Sequence, residues 1–230
     1  MSNNDIKDDD LQNNEKDDQD TNQNNLNFKI IIIGDSGVGK SCLTIKAIKN
    51  LFDDFYSPTI GFEFLTYNTN FENKNVKLQI WDTCGQEAYR SLIKSFYRNS
   101  SLAILVYSIE KEDSFKNLDN WTNDIKNESS PDIKIVLIGN KSDLESERKI
   151  AKEEGEKFCK DHKLSFFMET SAKTGVNAKK VFEESGRILF EEYKKFKDKN
   201  KDASLLSISS NNSGTIERDT ENEKRSHCFC

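Results

Sequence analysis

The apolar run Phe28–Ile33 passes directly into Gly34-Asp35-Ser36-Gly37-Val38-Gly39-Lys40-Ser41, and this junction restricts the fold more than any other stretch of the chain. The octapeptide fits G-x-x-x-x-G-K-[ST] in full, with a strand-length segment before it and a helix-forming segment, Lys40–Asn50, after it. Glycines in such a loop let backbone N–H groups curl around an anion without Cβ clashes. The helix that follows adds partial positive charge at the same point. Lys40 is placed to reach the β- and γ-phosphates of a nucleoside triphosphate, the Ser41 hydroxyl to ligate magnesium, and Cys42 to continue the lining. The motif alone leaves open which base is bound, and whether the enzyme is a hydrolase or a kinase.

Downstream the pattern alternates between strand and helix. Strands are expected at Phe62–Phe71, Val76–Trp81, Leu102–Ser108, Ile133–Gly139 and Ser165–Met168, and helices at Glu87–Arg98, Asp113–Asn127, Ile150–Asp161 and Val176–Phe196. Glu72-Asn73-Lys74-Asn75 reads as the turn of a hairpin, and Asp113 as a helix cap. With the first strand this makes an α/β domain: a six-stranded, mostly parallel sheet with one antiparallel strand and helices on both faces, as in phosphate-loop NTPases. The domain is expected over residues 28–198.

The flanks are different. Residues 1–27 carry eight acidic residues and two lysines, which is the whole of the net charge of −6. With almost no apolar content, this segment is expected to be a disordered acidic extension. Residues 199–230, rich in Ser, Asn and charge, are expected to form a flexible tail. The neutral remainder gives no basic face for nucleic acid. The acidic, polar N-terminus is unlike a secretory signal. The scattered Cys42, Cys84, Cys159, Cys228 and Cys230 argue for a reduced compartment without structural disulfides. No apolar run approaches the roughly 20 residues that span a bilayer.

Two further loops select the base. Asn140-Lys141-Ser142-Asp143 follows the strand ending Ile138-Gly139, beyond the carboxyl end of a strand, where ligands sit in an open α/β sheet. The Asp143 carboxylate can accept from the ring N–H and exocyclic amine of guanine, a donor pair that adenine lacks. Asn140 can bond the base edge or brace the loop, and Lys141 can lay its stem along the ring. Thr170-Ser171-Ala172-Lys173 follows the last strand, and the Ala172 N–H is placed to donate to the guanine carbonyl. Two more segments suit the γ-phosphate. In Trp81-Asp82-Thr83-Cys84-Gly85-Gln86, Asp82 can hold magnesium through water, the Gly85 N–H can approach the phosphate, and Gln86 can orient the attacking water. In Ser57-Pro58-Thr59-Ile60-Gly61, Thr59 can ligate magnesium and release its loop when the γ-phosphate is lost.

These motifs, in this order, resemble the small GTPases of the Ras superfamily, and the Rab branch in particular. The likeness covers Phe28 to Lys195; the spacings of 19 residues from Lys40 to Thr59 and 42 from Lys40 to Asp82 agree with it. Ser36, the I-G-F-E-F run and the terminal Cys228-Phe229-Cys230 are Rab-like. The resemblance implies GTP hydrolysis with Mg2+, a switch role in vesicle traffic, and Phe52 against the guanine edge. It implies an effector surface with Ile60, Gly61, Phe64, Trp81 and Phe96. It also implies prenylation machinery acting on Cys228 and Cys230, an exchange factor, a GTPase-activating protein, a GDP-dissociation inhibitor and effectors. A monomer is expected, held to the cytoplasmic face of a membrane by geranylgeranyl chains, two of which anchor far better than one, and cytosolic when bound to the inhibitor. Cys84 replaces the family's alanine; it either crowds the γ-phosphate or is a tolerated small residue. Asn99 stands where Rabs usually carry glycine. A phosphate-loop kinase would need an arginine-rich lid, which the sequence lacks. A binder that barely hydrolyses GTP runs against Gln86 and Thr59, while Cys84 keeps it open.

Overall fold

Four consecutive isoleucines show why the second half of the first strand is apolar on both faces. A computed structural model describes residues 25–53, 59, 61–85 and 95–211, with side chains to residue 200. In β1 (Asn25–Ile33), Ile30 and Ile32 enter one buried cluster and Ile31 and Ile33 the other, all four with no exposed surface. A strand covered on both faces has no reason to alternate. Each such side chain contributes roughly 1.5–3 kcal/mol relative to exposure.

The sheet order is β2-β3-β1-β4-β5-β6, with β2 (Phe62–Phe71), β3 (Lys74–Thr83), β4 (Leu102–Ser108), β5 (Lys134–Asn140) and β6 (Phe167–Glu169). Only β2 and β3 pair antiparallel; every other pairing is parallel. On one face lie α1 (Lys40–Lys49), through Leu43 and Ala47, and residues of α5 (Ala178–Asn211), through Val181, Phe182, Leu189 and Phe190. The other face is covered by α3 (Leu118–Glu128), through Leu118, Trp121 and Ile125, and by Phe158 and Cys159 of α4 (Lys152–Asp161). The expected fold class is the observed one. Among the described residues no helix is long and apolar enough to cross a membrane.

Several boundaries differ from expectation. β1 begins at Asn25, inside the segment 1–27 expected to be disordered, because Asn25–Asn27 pair in parallel register with Asn75–Lys77 of β3. Ladder hydrogen bonds compensate for polar side chains there, and Asn75 Nδ2 donates to Asn25 Oδ1 at 3.0 Å. The hairpin turn holds two residues, not four. Glu72 and Asn73 both have positive φ (47° and 63°), the twist-matched turn that joins antiparallel strands most tightly. The helix expected at Asp113–Asn127 is two: α2 (Glu112–Lys116) and α3, divided at Asn117. Lys111, not Asp113, is the N-cap of α2; Asp113 lies in its first turn, where a carboxylate suits the helix dipole. The final helix continues past 199 to Asn211, where a flexible tail was expected, since no Gly or Pro interrupts residues 187–211.

The chain divides into two units, Met1–Phe190, which contains the sheet, and Glu191–Cys230. The expected helix Glu87–Arg98 falls largely outside the described residues; residues 95–97 are helical, and Asn99 follows at φ 61°. A left-handed residue just past a helix is where Gly serves best and Asn is the usual substitute, which accounts for Asn99.

Candidate functional site

Gly39 adopts φ 90° as the N-cap of α1 and, having no side chain, makes no cap hydrogen bond to the helix's free N–H groups. A Cβ on Gly39 would lie 2.4 Å from Asn140 Nδ2, so the residue is glycine for space as well as for conformation. The first turn of α1 carries no acidic residue, and Lys46 and Lys49 lie in its last turn, so its N-terminal end stays favourable to an anion.

Lys40 is 5% exposed, and its Nζ donates to the carbonyls of Gly34 (2.9 Å) and Asp35 (2.8 Å). Burial pushes its pKa down from 10.5 to about 8, against the opposing pull of Asp82 and Asp35. The Ser41 and Thr59 hydroxyls meet at 2.7 Å. Asp82 is fully buried, and among the described residues neither carboxylate oxygen has a hydrogen-bond partner. Burial raises its pKa to about 6, against the pull of the nearby Ser41 hydroxyl and the Lys40 ammonium. A buried carboxylate without partners is costly unless a cation satisfies it. With the Ser41 hydroxyl nearby and Thr59 bonded in turn to Ser41, the donor set is all oxygen and suits Mg2+. Among the described residues no group of three or more His, Cys, Asp or Glu could hold an ion. A cation here would take its remaining ligands from phosphate and water.

A cavity of about 430 Å³ brings the separate motifs together. Ser36, Gly37, Gly39, Lys40, Ser41 and Cys42 line it from the phosphate loop, and Phe52, Thr59, Gly85, Asn140, Lys141, Asp143, Ala172 and Lys173 from elsewhere. Thr83, Asp53 and Leu144 also line it, and sequence reasoning missed all three. Gly34, Asp35, Val38, Asp82 and Ser171, expected at the nucleotide, support the wall rather than line it. The carbonyls of Gly34 and Asp35 hold Lys40, and Val38 is buried in the core. Ser171 Oγ donates to Asp143 Oδ1 at 2.5 Å.

Asn140 had two possible roles, and the structure shows a brace. Its Nδ2 donates to Val38 O at 2.9 Å, and its Oδ1 accepts from Thr170 Oγ1 at 3.0 Å. One side chain therefore ties the phosphate loop to both base loops. The backbone adds Ser142 N–H to Thr170 O and Thr170 N–H to Gly139 O, both 2.9 Å. Arg148 clamps the same region with a two-pronged contact to Glu169 (2.7 and 3.0 Å) and a bond from Nε to Glu145 (2.9 Å). Sequence reasoning missed this arginine, as it missed Glu110, whose Oε1 lies 2.7 Å from Lys141 Nζ.

Gly85 packs against the phosphate loop: a Cβ there would fall 2.4 Å from Ser36 N and 2.3 Å from the Asp35 carbonyl carbon. Cys84 does not line the cavity. It is 2% exposed, sits with Ile31, Ile33 and Tyr97 in the second cluster, and donates its N–H to Gly61 O at 2.9 Å. Phe64 and Phe96 flank Trp81 with ring centroids at 5.3 and 5.2 Å. Phe62 completes the group, 4.6 Å from Phe96, and both Phe62 and Phe64 are almost half exposed. Gln86, Ile60, Cys228 and Cys230 lie outside the described residues.

The family model described as the Ras family matches residues 29–191. That span runs from within β1 into α5 and contains every described site residue named above.

Proposed function

Since this chain belongs to the Ras family, we propose that it is a switch of the Rab type, which binds GTP with magnesium, hydrolyses it slowly and directs vesicle traffic from a membrane surface. Small GTPases of this family bind guanine nucleotide with Mg2+, hydrolyse GTP and work through regulators and effectors. The observation that carries the reading is the single cavity shared by Lys40, Ser41 and Thr59 with Lys141, Asp143 and Ala172.

Lys40, held by the Gly34 and Asp35 carbonyls, keeps a third N–H for a phosphate oxygen. Asp143, oriented by Ser171, accepts from the guanine N–H groups, and Ala172 supplies a backbone donor to the base carbonyl. Ser41, Thr59 and Asp82 would hold the cation, which when bound neutralises charge on the β- and γ-phosphate oxygens. Gln86 orients water for in-line attack on the γ-phosphorus; the bond to the β-phosphate oxygen breaks, and GDP and phosphate leave. Thr59 loses its phosphate contact at that moment, which releases the effector-facing loop.

The half-exposed Phe64, packed on the partly buried Trp81 and Phe96, supports the Rab assignment, since apolar side chains clustered at a surface suit a partner. Cys228 and Cys230 would each take a geranylgeranyl chain; a dissociation inhibitor would shield these chains in the cytosol. Single-turnover assay of purified protein tests the enzymatic reading: GTP should decay at roughly 10⁻⁴ to 10⁻³ per second, and ATP should persist. Protein that consumes neither nucleotide, or both alike, overturns it. A tagged chain should mark internal membranes and become diffuse with Cys228→Ser and Cys230→Ser together; identical distributions would remove the lipid anchor.

A further inference from the structure

Two residues past the end of β4, Glu110 stands on a turn fastened at each end. The Ser108 N–H donates to Ser114 Oγ at 3.1 Å, and the Lys111 N–H to Ser108 O at 3.0 Å. The Ile109 N–H donates to the carbonyl of Asn140 at 3.1 Å, so the turn is bonded directly to the start of the base-reading loop. The register agrees, since Ser108 pairs with Asn140 across β4 and β5. The Glu110 Oε1 accepts from Ser108 Oγ (3.1 Å) and from Lys141 Nζ (2.7 Å). Lys141 itself has φ 65°, a left-handed conformation that a non-glycine residue keeps only under constraint, and it lines the cavity.

We propose that Glu110 is a positioning residue for the base: its carboxylate fixes the Lys141 ammonium, so that the lysine stem stands as a ready-made wall of the purine site. This rests on the reading that the cavity holds guanine nucleotide. A free lysine side chain has four rotatable bonds and samples many rotamers, and ordering it on each binding event would weaken retention. The pair removes that cost beforehand. Both side chains are mostly shielded, with 31% of Lys141 and 22% of Glu110 exposed, so water competes weakly for the contact. Burial works to raise the Glu110 pKa, but the Lys141 hydrogen bond and charge, the Ser108 hydroxyl and Lys111 outweigh it. The carboxylate therefore stays ionised. Because the contact spans 31 positions, no local motif announces it.

The test is the rate at which full-length protein with Mg2+ releases fluorescent GDP into excess unlabelled GDP. Glu110→Ala should speed release about fivefold in the wild-type background and leave it unchanged, within about 1.5-fold, on Lys141→Met. Glu110→Gln keeps an acceptor without the charge and should give about twofold, which serves if the alanine variant folds poorly. Equal acceleration on both backgrounds would show that Glu110 acts on the fold and not through Lys141, and would overturn the proposal. Unchanged release for both Glu110 variants in the wild-type background would do the same. A wild-type chain that retains GDP no better than ADP would instead sink the reading of the cavity, and the proposal with it.

Discussion

The indole N–H of Trp121 donates to Oδ1 of Asp35 at 2.8 Å, across 86 positions of sequence. The other oxygen of the same carboxylate accepts from Asn117 Nδ2, also at 2.8 Å. The second residue of the phosphate loop is thus pinned to the point where α2 gives way to α3, while its carbonyl holds Lys40. The loop is held by side-chain bonds from behind as well as by its own turns.

Asp35→Ala should therefore loosen nucleotide and fold together. It strands an indole and an amide donor, and hydrogen bonds to a charged group contribute about 1.5–3 kcal/mol each. Urea denaturation of the GDP-bound protein should show a loss of about 2–4 kcal/mol, with faster GDP release. Asp35→Asn should fall between. A stability loss without faster release would confine the brace to folding.

Cys84 was expected either to crowd the γ-phosphate or to be a tolerated small residue, and its burial in the cluster of Ile31 and Ile33 favours the second. Cys84→Ala should leave single-turnover hydrolysis within about twofold, since no bonding group leaves the cavity. It should cost about 1 kcal/mol of stability, from the volume lost in the core. Faster hydrolysis by tenfold would restore the crowding account.

Asn99 at φ 61° yields a backbone prediction. Asn99→Gly should change the unfolding free energy little or raise it slightly, whereas Asn99→Ala should lower it by about 1 kcal/mol, since a Cβ is unfavourable in the left-handed region. Chemical denaturation of both variants checks this; equal values would put the effect elsewhere.

The Lys40 amine gives a pH signature. Burial pushes its pKa down to about 8, below the ordinary 10.5. A lowered amine pKa means that the unfolded chain binds more protons between these values, so the nucleotide-free protein gains stability as pH rises from about 8 to 10.5. Phosphate charge restores the ammonium, so nucleotide uptake at about pH 9 should take up close to one proton, and at pH 7 almost none. Calorimetry in buffers of different ionisation enthalpy reads the number directly. No proton uptake at pH 9 would place Lys40 outside the phosphate contact.

The motifs were readable because their chemistry is contiguous. Lys40 and Ser41 adjoin the glycines they work with, and Asn140 lies three residues from Asp143 in one loop. β4, β5 and the second half of β1 were readable because they are apolar on both faces, and β2 and β3 because they alternate. What escaped was set by distance. Nothing near Glu110 points to Lys141, nothing near Asp35 points to Trp121, and nothing near Arg148 points to Glu169; only the sheet order joins them. Boundaries failed where tertiary bonds outweighed composition. Asn25–Asn27 look unable to fold until β3 offers its edge, and Asn117 ends a helix in order to reach Asp35.

The central claim is that one cavity reads phosphate and guanine together. Competitive displacement of a fluorescent GDP by GDP, GTP, ADP and ATP, in Mg2+ and in chelator, tests it most directly. The account predicts that guanine nucleotides bind at least about 1,000-fold tighter than adenine ones, since an adenine leaves the Asp143 carboxylate unpaired, and that chelation weakens the hold on GTP. Comparable affinity for the two bases, or indifference to magnesium, would contradict it.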